Sequence, residues 1–483
     1  MRKILLSLIT TVASFSIAVA ASPQEELDSR LRAAAAIIDA QLSKESVPGA
    51  AIGLVHDQDL IWSHQFGVES LKTKNPVSDD TLFSICSVSK LFTGIAAMDL
   101  VEAGKLAMDA PAHLYLDGLS SLDSTGAEEP VTVRGILSHV SGAAREGVSD
   151  YWGDNSFPDS KELREEIAKQ NQLYQPYERW QYSNLGMAML GEIVAATSGQ
   201  SWADYVSANI LKPLGMSNTT TDMPFDKVGR GFANGYYVRA ANGKRKVVEP
   251  HLFRALAPAA GIASSVNDMA RFASWHFRLR ENGGEEVLKA TTLKQMQRVH
   301  WIGADFDEPA WGLAYASRRY GDKTLWGHGG YCPGVRTEFV MRLPEKIAVV
   351  AMTTANDVSP GDIAKTIYTL TKDSIKATQT EDEATTENPN DSTVSFADYE
   401  GYYAVENYDW DVYVGLSADG LFAIPVFDSD PASHINTWVH EEGDVFRRQR
   451  KDESLAETIT FERDKKGRVV SLVQHSYRSK KRL

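Results

Sequence analysis

The sequence feature that most restricts the fold is a polar segment that divides the chain into two parts of different character. Residues 376–395 include Gln-Thr-Glu-Asp-Glu-Ala-Thr-Thr-Glu-Asn-Pro-Asn-Asp and contain almost no apolar side chain. Such a segment cannot bury enough apolar surface to offset the entropy lost on folding. We therefore predict an acidic linker at 376–395 that separates two folded domains.

The part before the linker combines strand and helix patterns. Its strand patterns are bounded by turn residues, and its helix patterns place apolar residues on one stripe. The predicted strands are 50–55, 60–66, 326–343 and 346–353, and the predicted helices are 25–42, 87–103 and 363–375. Residues 111–273 are rich in short helices and loops. The pattern predicts an α/β layer that is closed by both ends of this part and carries an α-rich insertion.

The part after the linker, residues 396–483, alternates apolar and polar residues between frequent turns. The run Asp411-Val-Tyr-Val-Gly-Leu-Ser-Ala-Asp-Gly-Leu-Phe-Ala-Ile is typical of it. This pattern predicts a separate all-β domain, either a small barrel or a sandwich.

The first 20 residues have the pattern of a secretory signal peptide. A positive start, Met1-Arg2-Lys3, precedes an apolar run over 5–20 that ends in Ala18-Val19-Ala20, a small-x-small cleavage pattern. The run is short for a membrane span, and no other stretch is long and apolar enough, so stable membrane insertion is not expected. We predict an exported protein, periplasmic or secreted, in a compartment where a disulfide can persist.

Charge and cysteine content exclude several classes of function. The 483 residues contain 50 Lys+Arg and 64 Asp+Glu, and the resulting net charge of −14 disfavours binding to nucleic acid. The two cysteines exclude a disulfide-framework fold and a four-cysteine zinc site, although one disulfide stays possible. No His-Glu-x-x-His motif or clustered Asp/His spacing appears, so we expect no metal and no other cofactor.

The first motif with catalytic potential is Ser87-x-x-Lys90. If Ser87 opens a helix, the two side chains share a face of that helix. A serine hydroxyl needs a base, and a lysine amine can serve if burial lowers its pKa by roughly two to three units. The helix N-terminus would also offer backbone N–H groups to an oxyanion. A motif this short also occurs by chance at solvated helix starts.

Two further segments carry similar potential. The phenol of Tyr182, if held beside a lysine, can act as a phenolate base and then as an acid. The Asn184 amide can orient both the lysine and the substrate. Taken singly, this motif is better explained as an aromatic residue followed by a helix cap. The segment 326–334 is Trp-Gly-His-Gly-Gly-Tyr-Cys-Pro-Gly, and glycines within a strand often mark close approach of a ligand. In this segment His328 can act as a hydrogen-bond donor, and the backbone N–H of Tyr331 can donate to an oxyanion. The alternative is a glycine-rich hairpin with a packed histidine.

Together these motifs resemble the serine β-lactamase/DD-peptidase superfamily. The resemblance rests on the order Ser87-x-x-Lys90, Tyr182-x-Asn184 and His328-x-Gly330, and it spans roughly residues 30–375. It is nearest to the class C β-lactamase-related hydrolases, which include D-aminopeptidases, family VIII carboxylesterases and CubicO-type peptidases. The implied fold is α/β (α+β), an antiparallel sheet flanked by helices plus an all-α subdomain, over residues 21–375.

The resemblance also implies a role for each motif residue. Ser87 would be the acyl-enzyme nucleophile, Lys90 and Tyr182 would share proton transfer, and Asn184 would position the substrate. The other implied site residues are His328 above the site, the backbone N–H groups of Ser87 and Tyr331 as the oxyanion hole, and Gly329 and Gly330 on the substrate-binding strand.

The third motif bears on the substrate. Penicillin-hydrolysing relatives usually carry Lys-Thr-Gly where this chain has His328-Gly-Gly, and their lysine and hydroxyl hold the β-lactam carboxylate. We therefore expect an exported serine hydrolase that acts on small esters, or on amides or peptides that include D-amino acids. The alternatives are a β-lactamase or DD-carboxypeptidase and, in another class, a non-catalytic protein that binds peptidoglycan or β-lactams.

Two further expectations follow from the resemblance. Residues 396–483, which open with Tyr399-Glu-Gly-Tyr-Tyr403, resemble the lipocalin-like domains of D-aminopeptidase relatives. Such a domain would shape the active-site entrance or mediate a homo-oligomer, or it would be a passive module. Positions corresponding to Cys86 and Cys332 are bridged in carbapenem-hydrolysing class A β-lactamases, which implies a disulfide here; two buried thiols are the alternative.

Overall fold

The computed structural model describes residues 21–116, 129–170, 172–249, 251–303, 309–381, 396–405, 410–418 and 420–482. These residues group into two compact units. One consists of residues 41–369, and the other joins the described residues before 41 to those after 369. The expected signal peptide, 1–20, lies outside the described residues.

The first unit contains ten of the strands. They are β1 Gly49–His56, β2 Asp59–Gly67, β3 Phe83–Ser84, β4 Ala263–Ser264, β5 Glu285–Glu286, β6 Leu288–Lys289, β7 Ala316–Tyr320, β8 Lys323–Cys332, β9 Val335–Arg342 and β10 Ile347–Thr353. Six of them form an antiparallel sheet in the order β2-β1-β10-β9-β8-β7. The central strands β1 and β10 are almost fully buried, as expected of apolar strands covered on both faces.

Helices make up much of the rest of the described chain. They are Pro23–Lys44, Ser89–Glu102, Val133–Leu137, Tyr151–Asp154, Ser160–Ala168, Asn184–Ser198, Trp202–Val206, Ala257–Ala260, Val266–Asn282, Ala290–Met296 and Pro360–Glu381. The Val266–Asn282 helix packs on the sheet, in contact with β1, β2 and β10. The Ser89–Glu102 helix is buried almost all round and contacts the Asn184–Ser198 helix. It is therefore a core helix that can present side chains to an interior site.

The sequence predicted the first and last parts of this layer well but missed the hairpin between them. The single strand expected at 326–343 is wrong: it is divided into β8 and β9 by a turn at Pro333-Gly334. Proline cannot donate a ladder hydrogen bond, and Gly334 takes a φ of +77° that favours glycine. Strand β7 was not predicted because its sequence, Ala-Ser-Arg-Arg-Tyr, is too polar to show a strand pattern.

The closing helix is longer than the sequence indicated. It runs over Pro360–Glu381 instead of 363–375, so residues 376–381 of the expected linker are helical. Threonine, lysine and glutamine tolerate a helix that packing has already started. Residues 382–395 of that linker lie outside the described residues.

The second unit contains a closed barrel of eight strands that follow one another in chain order. They are β11 Gly401–Ala404, β12 Val412–Ser417, β13 Gly420–Pro425, β14 Asn436–Glu442, β15 Val445–Gln449, β16 Leu455–Arg463, β17 Val469–Gln474 and β18 Tyr477–Arg482. Pairing of β11 with β18 closes the barrel, and aromatic residues such as Tyr403, Trp438 and Phe461 fill its core. The predicted fold class is thus confirmed in both parts, and the all-β domain is a barrel of the up-and-down type.

Residues 21–40 group with the barrel, whereas the sequence placed them with the hydrolase domain. The reason is a set of polar contacts from the first helix. Ser29 Oγ donates to Glu400 at 2.6 Å, and the Arg32 guanidinium donates two hydrogen bonds to the same carboxylate at 2.8 and 2.9 Å. Such long-range ion pairs leave no local pattern in the sequence.

Candidate active site

The first motif lies where a turn enters the central helix. A short 3₁₀ turn over Cys86–Val88 leads directly into the Ser89–Glu102 helix, and Cys86 has a left-handed φ of +50°. A non-glycine residue in that region is held there by its surroundings, as often happens at functional sites. The turn places the Ser87 and Lys90 side chains together, with Lys90 Nζ 3.1 Å from Ser87 Oγ.

Lys90 is completely buried, and its amine has three polar neighbours. Besides Ser87, Nζ donates to Asn184 Oδ1 at 2.7 Å and to the Ala259 carbonyl at 2.8 Å. Burial lowers the pKa of Lys90 well below its ordinary value, and Glu146 offsets part of that change. A neutral amine that donates to the two carbonyl oxygens keeps its lone pair for the Ser87 hydroxyl. Lys90 is therefore arranged to accept the serine proton.

Tyr182 completes the group around the serine. Lys90 Nζ lies 4.9 Å from the centre of its ring, and the Ser87 side chain is near enough to lower the pKa of the phenol. Burial nevertheless raises the pKa of Tyr182 above its ordinary value, against the effects of Ser87 and of the nearby charges of Arg145 and Arg318. The side chain is thus a phenol at neutral pH. It can donate a proton to a leaving group, whereas the phenolate base considered from the sequence is not favoured.

Asn184 is held at the start of the Asn184–Ser198 helix. The helix is capped by Ser183, whose Oγ accepts from Gly186 N at 2.7 Å and donates to the Ala144 carbonyl at 2.6 Å. The Asn184 amide therefore enters the site on a rigid element, with its oxygen on Lys90. Its nitrogen donates to Glu146 Oε1 at 2.5 Å.

His328 lies on β8 beside these residues, but its tautomer differs from the expectation. Its Nδ1 is 2.6 Å from the carbonyl oxygen of Gly329, so Nδ1 must carry the hydrogen and donate. Burial lowers the pKa of His328 to about 3, and the ring is neutral at pH 7. Nε2, which has no hydrogen-bond partner among the described residues, is then an acceptor. The sequence analysis expected His328 to be a donor at this site, and in this tautomer its free nitrogen can only accept.

The glycines of β8 allow close packing next to the nucleophile. A Cβ atom on Gly330 would come within 2.4 Å of the Ile85 carbonyl oxygen, so only glycine fits there. Strand β7 pairs with β8 only as far as Gly327, and residues 328–332 pair with β9 alone among the described strands. The opposite edge of this segment is thus available to a substrate.

A disulfide joins the two sides of the site. Cys86, immediately before Ser87, is bonded to Cys332 at the end of β8, with a Cα–Cα distance of 5.7 Å. The bond closes a loop with a sequence separation of 246 residues. It ties the nucleophile turn directly to the strand that carries Tyr331.

These residues open into one cleft of about 830 Å³. Its lining includes every residue that the sequence assigned to the site except the buried Lys90 and Cys86. It also includes charged and aromatic residues that the sequence analysis did not single out, namely Arg145, Glu146, Trp152, Trp180, Tyr237, Trp311, Arg318, Arg336 and Glu338. A cavity of this volume fits a small molecule or the end of a peptide.

Arg318 is the most informative of the residues that sequence reasoning missed. It extends from β7, and its Nε donates to Glu338 on β9 at 3.1 Å. This pair lies over Gly329, where a Cβ atom would approach Glu338 Oε2 to 2.7 Å. The cleft thus has a fixed cation beside β8, although the His328-Gly-Gly motif contains none.

His139 is a second residue near the site that sequence reasoning missed. It is buried, and its ring centre lies 4.5 Å from that of Tyr182 and 4.8 Å from that of Trp311. Its Nδ1 accepts a hydrogen bond from Ser183 N at 3.2 Å. His139 therefore fixes the Tyr182 ring against the helix that carries Asn184.

Two negative findings apply to the described part of the chain. No helix there is both long and apolar enough to cross a bilayer. No group of three or more His, Cys, Asp or Glu side chains there is arranged to hold a metal ion.

Comparison with known proteins identifies relatives that are similar in sequence. Esterase EstB from Burkholderia gladioli is 26% identical over 324 residues, which cover 60% of this chain and 80% of the relative. Penicillin-binding protein 4 from Amycolatopsis lactamdurans is 28% identical over 333 residues, which cover 66% of this chain and 84% of the relative.

Solved structures share the fold at lower identity. An octameric penicillin-binding protein homologue from Pyrococcus abyssi matches with a TM-score of 0.63 and 21% identity, over 93% of this chain and 99% of that one. A class C beta-lactamase from Rhodobacter sphaeroides matches with a TM-score of 0.57 and 22% identity, over 73% of this chain and 100% of that one. The beta-lactamase family model matches residues 34–414, most of the sequence. The chain therefore belongs to the beta-lactamase family of serine hydrolases.

Proposed function

We propose that this serine hydrolase forms an acyl-enzyme on Ser87 and hydrolyses small esters, or amides and peptides, including those of D-amino acids. The observation that carries the proposal is the position of the Lys90 amine. It is buried, it lies 3.1 Å from Ser87 Oγ, and its other two contacts are to carbonyl oxygens. This is the arrangement that a neutral amine needs in order to act as a base.

Acylation transfers the acyl group of the substrate to Ser87. Ser87 Oγ attacks the substrate carbonyl carbon while its proton passes to Lys90 Nζ. The backbone N–H groups of Ser87 and Tyr331 bind the developing oxyanion. The Tyr182 phenol gives its proton to the leaving alkoxide or amine as the carbonyl–heteroatom bond breaks, and it recovers a proton from Lys90.

Deacylation repeats this chemistry with water as the nucleophile. Lys90, again neutral, accepts a proton from the water as it attacks the ester carbonyl. The tetrahedral intermediate collapses, the Ser87 Oγ–acyl bond breaks, and the serine takes its proton from the Tyr182 phenol, which is reprotonated by Lys90. The acid product leaves the cleft.

A second candidate substrate class is favoured by Arg318. Its guanidinium is a cleft cation beside Gly329, and it could pair with a substrate carboxylate that the His328-Gly-Gly motif alone would leave unpaired. This supports a peptide with a free carboxylate near the scissile bond, as a DD-carboxypeptidase or β-lactamase would need. The relatives described above, an esterase and a penicillin-binding protein, support the two substrate classes equally.

Location and assembly form part of the same proposal. Export to an oxidising compartment is supported by the disulfide between Cys86 and Cys332, since such bonds are rare in the cytosol. A homo-oligomer is supported by the octameric relative from Pyrococcus abyssi. Light scattering on the purified protein measures the assembly directly, and a monomer at all concentrations would contradict it.

Trapping the covalent intermediate tests the proposal. Wild type and the Ser87→Ala variant are exposed to p-nitrophenyl esters, D-alanine amide, a peptide ending in D-Ala-D-Ala and a penicillin, and intact mass is recorded. We expect adducts on wild type, mapped to the peptide that contains Ser87, and none on the variant. An adduct of equal yield on Ser87→Ala would overturn the assignment. A stoichiometric penicillin adduct without turnover of any compound would indicate a binding protein instead.

A further inference from the structure

Glu146 lies in the wall of the cleft, and each of its carboxylate oxygens has neighbouring donors. Oε1 accepts from Asn184 Nδ2 at 2.5 Å and lies 3.5 Å from Arg145 Nε. Oε2 accepts from Trp152 Nε1 at 2.9 Å and from the Tyr151 hydroxyl at 3.3 Å. The carboxylate is therefore held in one orientation from two sides.

We propose that Glu146 is a positioning residue of this active site, which fixes the Asn184 amide so that its oxygen faces Lys90 and its nitrogen faces the carboxylate. The proposal rests on the proposed function, since it assigns Glu146 a role in arranging the base. It adds a residue that none of the three motifs contains.

An asparagine side chain can rotate by half a turn and exchange its oxygen and nitrogen with almost no change of shape. In the exchanged orientation the amide oxygen would face the Glu146 carboxylate, and the NH₂ group would face the Lys90 amine. Both contacts would be repulsive. Glu146 thus excludes the orientation in which Lys90 loses an acceptor.

A carboxylate is needed for this role because two donors approach it from different sides. Asn184 Nδ2 and Trp152 Nε1 bind different oxygens, and both atoms can only donate. Glutamine at this position offers one acceptor oxygen and one NH₂ group. One of the two donors would then face another donor, and the Asn184 amide would no longer be held by a charged acceptor that is itself fixed from both sides.

A role for Glu146 in binding a substrate ammonium group is disfavoured by the same contacts. Both oxygens already accept hydrogen bonds from the protein, so a cationic substrate would have to displace Asn184 or Trp152. The position of the carboxylate therefore supports a role within the catalytic apparatus.

The charge of Glu146 also acts on the base. Glu146 and Arg145 are the two charges that shift the pKa of Lys90, the first upward and the second downward. The other titratable side chains that face Lys90 are Tyr182 and two buried histidines, His139 and His328, and burial keeps all three neutral near pH 7. Removing the negative charge leaves Arg145 unopposed, so Lys90 should lose its proton at lower pH.

The test compares Glu146→Gln with wild type over a range of pH. We expect kcat to fall by about tenfold or more, with a smaller change in KM, because the base is misplaced while the cleft is intact. The ascending limb of the pH profile should move to lower pH. Glu192→Gln is the matched control, since Glu192 is a partly buried carboxylate on the same helix as Asn184 but is bound by Ser160 and Arg164 at a distance from the cleft. It should leave both parameters unchanged.

A double-mutant cycle and a conservative variant complete the design. In an Asn184→Ala background, Glu146→Gln should cause little further loss of kcat, because the residue on which it acts is gone. Glu146→Asp retains the charge at a shifted position, so it should lose kcat while keeping the wild-type pH limb. It also replaces Glu146→Gln as the test variant if that protein does not fold.

The outcomes separate this inference from the proposed function. If wild type forms its adduct on Ser87 and Glu146→Gln has wild-type kcat and an unmoved pH limb, Glu146 is not a positioning residue. Full additivity with Asn184→Ala would overturn the inference in the same way. If wild type forms no Ser87 adduct with any probe, the proposed function itself fails.

Discussion

Lys90 Nζ lies 3.1 Å from Ser87 Oγ inside a helix that is buried almost all round. Burial there disfavours the charged form of the amine, and it places a base within one hydrogen bond of the nucleophile.

Ser87→Ala should abolish turnover and leave the fold intact. The serine contributes only a hydroxyl to the turn, so the thermal transition should change little, while hydrolysis of an ester substrate should fall by at least about 10³-fold. Initial rates and a melting curve measure the two effects. Retained turnover in this variant would contradict the role of Ser87.

Lys90→Ala and Tyr182→Phe should each lower kcat by about 10²-fold or more, since each removes a group that moves a proton. The loss in Tyr182→Phe should be smaller for an ester with a good leaving group, which needs no protonation, than for an amide. Parallel assays on p-nitrophenyl and amide substrates make this comparison. Equal losses on the two substrates would indicate that Tyr182 is not the acid.

The buried Lys90 should make stability depend on pH with a definite sign. Its pKa is lowered in the folded state, so between that lowered value and the ordinary 10.5 the unfolded chain binds more protons at this site. Above about pH 10.5 the amine is neutral in both states, and its burial carries no penalty from charge. As pH falls below that value, burial of Lys90 lowers the free energy of unfolding progressively. Melting temperatures of wild type and Lys90→Met, compared from pH 6 to pH 9, should shift in favour of wild type as pH rises. A constant difference would mean that Lys90 is charged in the folded state.

Loss of the disulfide should lower both stability and activity. In the chain-entropy treatment a loop of this length contributes up to about 5 kcal/mol, and measured values are usually lower. Reductant should therefore lower the melting temperature and also kcat, because Cys86 adjoins Ser87. A Cys86→Ser, Cys332→Ser double variant provides the control, since it should resemble the reduced protein and not respond to reductant.

Arg318→Gln should affect substrates that carry a carboxylate more than those that do not. Loss of a charge-assisted hydrogen bond raises KM for such a peptide by about tenfold or more, whereas a neutral ester should be hydrolysed at nearly the wild-type rate. The ratio of kcat/KM for the two substrates is the quantity to measure. An unchanged ratio would exclude Arg318 from carboxylate recognition.

Local spacing in the sequence was enough to predict part of the candidate site. Ser87 and Lys90 are three residues apart, and helix geometry alone places their side chains together. The order of the three motifs then implied the fold and the part of the chain that it covers. The alternation after residue 396 predicted an all-β domain, because side chains in a half-buried strand alternate between its two faces.

Contacts made by distant segments could not be predicted in this way. Glu146 and Arg318 enter the cleft from a loop and from a polar strand, and neither belongs to a recognisable pattern. The tautomer of His328 depends on a single backbone carbonyl. The hydrogen bond from Ser29 to Glu400 joins residues that are far apart in the chain. In each case the determining partner is set by tertiary packing, which a single sequence does not show.

Gly329 and Gly330 of β8 limit how a Lys-Thr-Gly signature could be built into this strand. Acquiring the Lys-Thr-Gly signature requires a side chain at position 329, and its first carbon would displace the Glu338 carboxylate and disturb its partner Arg318. Position 330 admits no side chain at all, because the Ile85 carbonyl occupies that space. The Glu338 carboxylate is the far end of a flexible side chain and can move, so a side chain at 329 would act mainly by rearranging the Arg318–Glu338 pair in the wall of the cleft.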